Sequence, residues 1–223
     1  MYKLSPSDFA YLYEECKHCY YLKVRKGINR PPSPFPGVFS ALNTRLQGSL
    51  IGKNLHELSP KLPEGVVESQ EGFVESIPIP GTKVFIKGKY DLLVRQADGT
   101  YLIVDFKISA PSEEKIAKYQ TQLQAYHYTF IHPAHGEAKN ITKLGLIIMY
   151  PDQVKFDQGH AFINFPPTWI EIEINHEKFL DFISGVSALL EGPTPPENPN
   201  CPWCKYRHLG EVLSHPQTSD IPF

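Results

Sequence analysis

Polar and apolar positions change period several times along the chain, and each change marks an element. Ser5-Pro6-Ser7-Asp8 offers a hydroxyl cap and an acid for a first helical turn. Phe9, Leu12, Tyr13, Cys16 and Tyr20 then recur at helical spacing until a basic run ends before Gly27. A second helix is predicted over Val38 to about Leu58, although Gly48 and Gly52 weaken its middle. From Val66 the period falls to two. Val66-Val67-Glu68, Gly72 to Ile77, Val84 to Val94 and Tyr101 to Lys107 read as strands, and Ala97-Asp98-Gly99-Thr100 joins the last two as a hairpin turn. A helix opens at Pro111-Ser112-Glu113-Glu114, buries Ile116, Tyr119, Leu123, Tyr126 and Phe130, and ends at Pro133. Lys143 to Tyr150 is almost continuously apolar, as a strand buried on both faces should be. A strand from Trp169 to Ile174 and an amphipathic helix from about His176 to Leu190 complete an α/β body.

Composition narrows the class. The 223 residues predict one domain spanning 1–223, with an N-terminal helix in 1–30, a sheet-containing core in 66–175 and a tail in 193–223. Hydrophobic residues at 41% and charged residues at 21% exclude a disordered tail or a collagen-like fibre. No apolar run approaches the roughly 18 residues of a membrane span. The first residues lack the basic-then-apolar order of a secretory signal, so a cytoplasmic protein without a membrane partner is expected. Proline, 21 residues, gathers at Pro31–Pro36 and Pro193–Pro202, which read as extended connectors. A net charge of −2 carries no global positive field for nucleic acid, but Lys23, Arg25 and Lys26 lie in one basic run, and Lys83, Lys87 and Lys89 in another. Each run is by itself consistent with a solvated face.

Three charged residues stand where strands want apolar ones. Asp105 and Lys107 share one face of their strand while Phe106 takes the other, and the Asp-Gly turn folds Asp91 back toward Asp105. Converging carboxylates repel unless a cation lies between them, and oxygen ligands suit Mg2+ or Mn2+. The bland alternative is a wet hairpin face with a cross-strand Asp–Lys pair. Gln122 and Tyr126, four apart, share a face of the next helix.

The four cysteines fall into Cys16-Lys-His-Cys19 and Cys201-Pro-Trp-Cys204, the spacing of a four-thiolate site joining the first helix to the tail. Cys16 and Cys19 sit i, i+3 on the predicted helix. Zn2+ and an iron–sulfur cluster both accept four thiolates, and spacing does not separate them. A Cys-Pro-x-Cys redox motif would follow a strand and open a helix, whereas this pair follows proline-rich coil.

Gly88-x-x-Asp91, the hairpin, Asp105-x-Lys107 and Gln122-x-x-x-Tyr126, in that order, resemble the PD-(D/E)XK nuclease superfamily, in its RecB/Cas4-like branch, over roughly Pro6 to Arg207. The resemblance implies a restriction-endonuclease-like core, a mixed central sheet flanked by helices. It implies that Asp91, Asp105 and the backbone carbonyl of Phe106 bind a divalent metal, that Lys107 positions or activates water, and that Gln122 and Tyr126 support the site or contact DNA. Gln120 and Gln124 are weaker alternatives to Gln122. The branch has an upstream helical histidine, for which His56 is the candidate ligand, with Glu57 and Glu68 as substitutes. It also implies a [4Fe–4S] cluster, although there one cysteine lies near the N-terminus and three near the C-terminus, and the two-and-two arrangement here keeps zinc open. The implied activity is divalent-dependent exonuclease or endonuclease cleavage of single-stranded DNA or duplex ends, with Lys23, Arg25 and Lys26 on the DNA path and repair or CRISPR-adaptation-type proteins as partners. A non-catalytic DNA-binding or assembly module with a structural zinc is the alternative, against which intact Asp91, Asp105 and Lys107 stand. A thiol redox protein is a third, and it needs Cys201 or Cys204 unligated.

Overall fold

The computed structural model describes residues 1–32, 36–110 and 112–214. In chain order the elements are β1 (Tyr2–Leu4), α1 (Pro6–Asp8), a π-helical turn (Phe9–Tyr13), α2 (Lys17–Lys26), α3 (Gly37–Gly48) and α4 (Leu55–Leu58). Then come β2 (Val66–Gln70), β3 (Phe73–Glu75), β4 (Val84–Lys89), β5 (Leu92–Arg95), β6 (Tyr101–Ile108), α5 (Glu113–Ile131) and β7 (Ile141–Met149). The chain continues with β8 (Gln153–Asp157), β9 (His160–Asn164), β10 (Pro167–Ile172), α6 (His176–Glu191) and α7 (Pro202–Ser214). Among the described residues no helix is long and apolar enough to cross a membrane.

The central sheet has the order β10-β7-β6-β5-β2 and is mixed: β6 and β7 run parallel, and the other neighbours are antiparallel. A parallel pair needs a crossover, and α5 provides it. The apolar run predicted as a buried strand is β7, which lies between two strands and buries Leu144, Leu146, Ile147 and Ile148. Period two divides β6 between faces. Ile103 packs under α5 with Leu123 and Leu146, whereas Leu102, Val104 and Phe106 meet Leu50, Leu55 and Leu62 on the other side. A smaller sheet, β1-β4-β3, packs with α2 and α6 around Tyr20, Ile86, Ile183 and the cysteines.

Several expectations need correction. The first helix is not continuous: the chain passes through the π turn and is extended at Cys16 (φ −162°), so Cys16 caps α2 instead of lying inside a helix with Cys19. The second predicted helix is two, because Gly52 takes a positive φ of 75° and Asn54 caps a separate α4 through a capping box. The predicted strand Val84–Val94 breaks at Tyr90-Asp91. The second cysteine pair opens a helix, α7, although it follows coil as expected. The β8–β9 hairpin was not legible, and it is exposed on both faces. Residues 33–35 of the first proline connector, Pro111, and 215–223 of the tail lie outside the described residues.

Candidate active site and metal centre

The break between β4 and β5 makes the first site. Tyr90 N–H donates to Gly72 O at 3.0 Å and Glu71 N–H donates to Asp91 O at 2.8 Å, which fixes the Asp91 backbone from the neighbouring turn. Gly88 is needed close by, since a Cβ there would lie 2.7 Å from Pro6 Cδ and 3.2 Å from Tyr126 Cε1. The Tyr126 hydroxyl donates to Lys89 O at 2.6 Å, holding β4 against α5. Leu92 pairs with Val104, so one step further in that antiparallel register sets Asp91 opposite Asp105. Asp91 Oδ2 accepts the Phe106 N–H at 2.8 Å. Gln122, reaching down from α5, donates to Asp105 Oδ1 at 2.8 Å. Lys107 Nζ lies 2.7 Å from Asp105 Oδ2 and 4.8 Å from the centre of the Tyr119 ring.

The electrostatics of this cluster are unbalanced. Asp105 is only 2% exposed; its Oδ1 accepts from Gln122 and its Oδ2 pairs with the Lys107 ammonium at 2.7 Å. Burial, then the charge of Asp105, push Asp91 up to about 7 against the opposing pull of Lys107 and the Phe106 N–H. Burial alone would lower the Lys107 ammonium, but Asp105 and Asp91 outweigh it and hold it above its ordinary value. Two carboxylates thus face one cation. Two cavities, of about 530 and about 450 Å3, open on Asp91 and Lys107 from different sides. Two buried carboxylates that share a single ammonium are a donor set that fits a hard divalent ion.

The structure leaves other candidates elsewhere. Asn54 bridges to Val66, which pairs with Arg95, so α4 and His56 lie at the end of β5 opposite to Asp91. His56 Nδ1 is instead 3.1 Å from Leu62 O. Glu57 serves the α4 cap, and Glu68 pairs with Lys139 at 3.4 Å. Gln124 donates to Glu173 O and accepts from Asn175 N–H, tying α5 to the start of α6, and Gln120 lines a small cavity there. Lys23 pairs with Asp8 at 2.7 Å, Arg25 lies over Tyr2 and Tyr21, and neither they nor Lys26 line the two cavities. Residues without a motif do line them: Tyr11, hydrogen-bonded to Tyr119, together with Glu71 and the α3 residues Asn43 and Thr44. Tyr119 was legible, three residues before Gln122 on the same helix face. Tyr11 was not, because the π turn sets its direction.

The second site is closed. Cys16 and Cys19 of the α2 start meet Cys201 and Cys204 of the α7 start, all four thiols are buried, and their sulfurs lie within 4.8 Å of one another. Cys16–Cys204 and Cys19–Cys201 are 3.7 Å apart and Cys19–Cys204 is 3.8 Å. A tetrahedron with metal–sulfur bonds of about 2.3 Å has edges of about 3.8 Å. Arg30 and Arg207 each direct a guanidinium at a sulfur, at 3.3 Å from Cys201 and 3.4 Å from Cys204. A metal held there by four thiolates would leave negative charge for these two arginines to offset. Burial, with the hydrogen bond to Cys16, pushes Cys204 up to about 12; burial opposes the fall of Cys201 to about 7, which the N–H groups of Cys204 and Trp203 cause.

A mixed sheet with helices on both faces and an Asp–Asp–Lys cluster at the end of a central strand defines the nuclease class of α/β fold. The model of the PD-(D/E)XK nuclease superfamily matches residues 64–209, well over half of the chain, and the chain belongs to that superfamily. Among solved structures, the chain is similar to the crystal structure of SSO0001, with a TM-score of 0.49 and 15% identity over 99% of this chain and 87% of that one. It is also similar to an alkaline exonuclease (LHK-Exo) from Laribacter hongkongensis, with a TM-score of 0.45 and 14% identity over 95% and 91% of the two chains. A search of curated proteins finds no match.

Proposed function

We propose that this chain, as one nuclease domain over 1–223, is a divalent-metal-dependent deoxyribonuclease of the RecB/Cas4-like branch, cleaving at Asp91, Asp105 and Lys107. The observation that carries this reading is the pair of buried carboxylates, Asp91 and Asp105, set opposite each other in register and sharing one ammonium, Lys107, where two cavities reach them. A Mg2+ or Mn2+ ion bound by Asp91, Asp105 and the Phe106 carbonyl would offset phosphate charge and lower the pKa of bound water. Gln122 orients Asp105 for that task through its 2.8 Å hydrogen bond. Lys107 places a positive charge beside the reacting phosphate, where low dielectric strengthens it. Tyr126 holds the backbone of Lys89, two residues before Asp91, and so supports the site. The thiolate spacing supports a single zinc ion at the cysteine centre over the [4Fe–4S] cluster that the family resemblance implies, because a cube of iron and sulfide would separate the sulfurs more widely. The position of His56 gives it no part in this reading.

The test pairs chemistry with composition. Labelled single-stranded and duplex-ended DNA should be cut with Mg2+ or Mn2+ and remain whole in a chelator, while the protein as purified carries about one zinc and no brown chromophore. Cleavage that ignores the divalent ion would overturn the catalytic part. Iron and sulfide in place of zinc would overturn the other.

A further inference from the structure

A third cavity, of about 730 Å3, adjoins one of the two that reach the carboxylates. It shares Phe73 and Lys87 with the 450 Å3 cavity, which in turn shares Asp91 and Lys107 with the 530 Å3 cavity. The three form one groove across the β3–β4 ladder and over the end of β6. Alternation along β4 sets Lys87 and Lys89 on one face while Gly88 faces inward against Pro6 and Tyr126, and both lysines line the 450 Å3 cavity together with Asp91. In register opposite Lys89 stands Phe73, which is 78% exposed. An aromatic ring held on a paired strand at the waist of a groove is placed to receive another flat ring.

The charge of the groove also selects its occupant. Lys87 is paired with Glu75 at 2.7 Å and Lys89 with Glu71 at 2.9 Å, so the field over the ladder is nearly balanced. A duplex offers phosphates and hides the faces of its bases, and such a field holds it poorly. An unpaired strand offers bases that stack on an aromatic ring whatever their sequence. Resting on the nuclease reading above, we propose that this groove is the path of a single nucleic-acid strand, with Phe73 stacking on an unpaired base on the way to Asp91.

Binding of a dye-labelled oligothymidylate to the whole protein, in chelator so that nothing is cut, tests the path. Phe73→Ala should weaken binding roughly tenfold, the size of one lost base–aromatic stack. Phe73→Trp should keep the affinity and add a fluorescence that the oligonucleotide quenches beyond the signal of the two native tryptophans. Replacing single thymidines by abasic units should reveal one position that costs the wild type about as much and costs Phe73→Ala nothing more. An unchanged affinity in Phe73→Ala, no coupled abasic position, or a blunt duplex that competes as well as the single strand would each overturn the path. Wild-type cleavage with Mg2+ in those same preparations would leave the nuclease reading intact, and failure to bind or cut any nucleic acid would remove both.

Discussion

The carboxylate centre and the cysteine centre both gather ionisable groups in the interior, and their surroundings differ at every point. Around the sulfurs the groups close on one another: four thiols within 4.8 Å, all buried, with two arginines directed at them from outside. Around the carboxylates the balance is left open. Asp91 and Asp105 share one lysine, and two cavities reach them. A site whose groups are mutually satisfied holds its ion and stabilises the fold, whereas a site left short of positive charge takes ion and phosphate from solution. On the proposed reading, the sulfur centre is structural and the carboxylate centre is where the chemistry occurs.

The largest contrast should come from breaking each centre in turn. Asp105→Ala should lower cleavage by about a thousandfold or more, since several kcal/mol of charge stabilisation goes with the metal. Its thermal unfolding should stay close to that of the wild type. Cys204→Ser should do the reverse, losing several kcal/mol of stability and releasing zinc while the rate per folded molecule holds within about tenfold. Rates and melting curves that fell together in both variants would erase the distinction. Next in size is Lys107→Ala, for which a loss of about a hundredfold is expected, in the range for removal of one donor to developing charge. Manganese binding, followed by its paramagnetic resonance, should persist in that variant, and its loss would make Lys107 a part of the metal site instead.

The smallest effect sharpens the comparison from between the two centres. His127 on α5 faces His176 of α6, with His132 and Tyr128 beside it, and α5 and α6 link the carboxylate side of the fold to the cysteine side. Burial, then the two neighbouring imidazoles, bring His127 down to about 4. A histidine that stays neutral when folded adds stability above the ordinary histidine pKa of about 6.5, and that stability drains away as pH falls from there toward 4. We expect a loss of about 1–2 kcal/mol over that interval, read from melting temperatures across pH. His127→Leu should flatten the slope, and an equal slope in that variant would move the titration to another group.

Much of the carboxylate centre was legible because each step obeyed a local period. Asp105 and Lys107 share a strand face, Gln122 and Tyr126 share a helix face, and the Asp98-Gly99 turn sets the register that brings Asp91 opposite Asp105. The cysteine pairing was legible from spacing alone, and the four sulfurs do meet. What stayed hidden depends on contacts between distant segments. Tyr11 reaches the site through a π turn, and Asn43 and Thr44 arrive on a helix that only packing orients. His56 fits a motif in order and spacing, but the Asn54–Val66 bridge carries it to the far end of the sheet. Lys87 and Lys89 were visible as a cluster, but that they line one cavity with Asp91 depends on the strand break at Tyr90-Asp91, which periodicity did not show.

The meeting of the two chain ends also has a mechanical side. Cys16 and Cys204 touch across a sequence separation of 188 residues. Once a metal bonds them, the five-stranded sheet and the helices α2 to α6 belong to a closed ring. A pull between α2 and α7 then passes through sulfur and leaves the hydrogen bonds of that sheet unloaded. The same ring tolerates being cut elsewhere, because the old ends are already joined. The exposed Gln158-Gly159 turn between β8 and β9 is the place where new ends could be opened in a circular permutant without unfastening either centre.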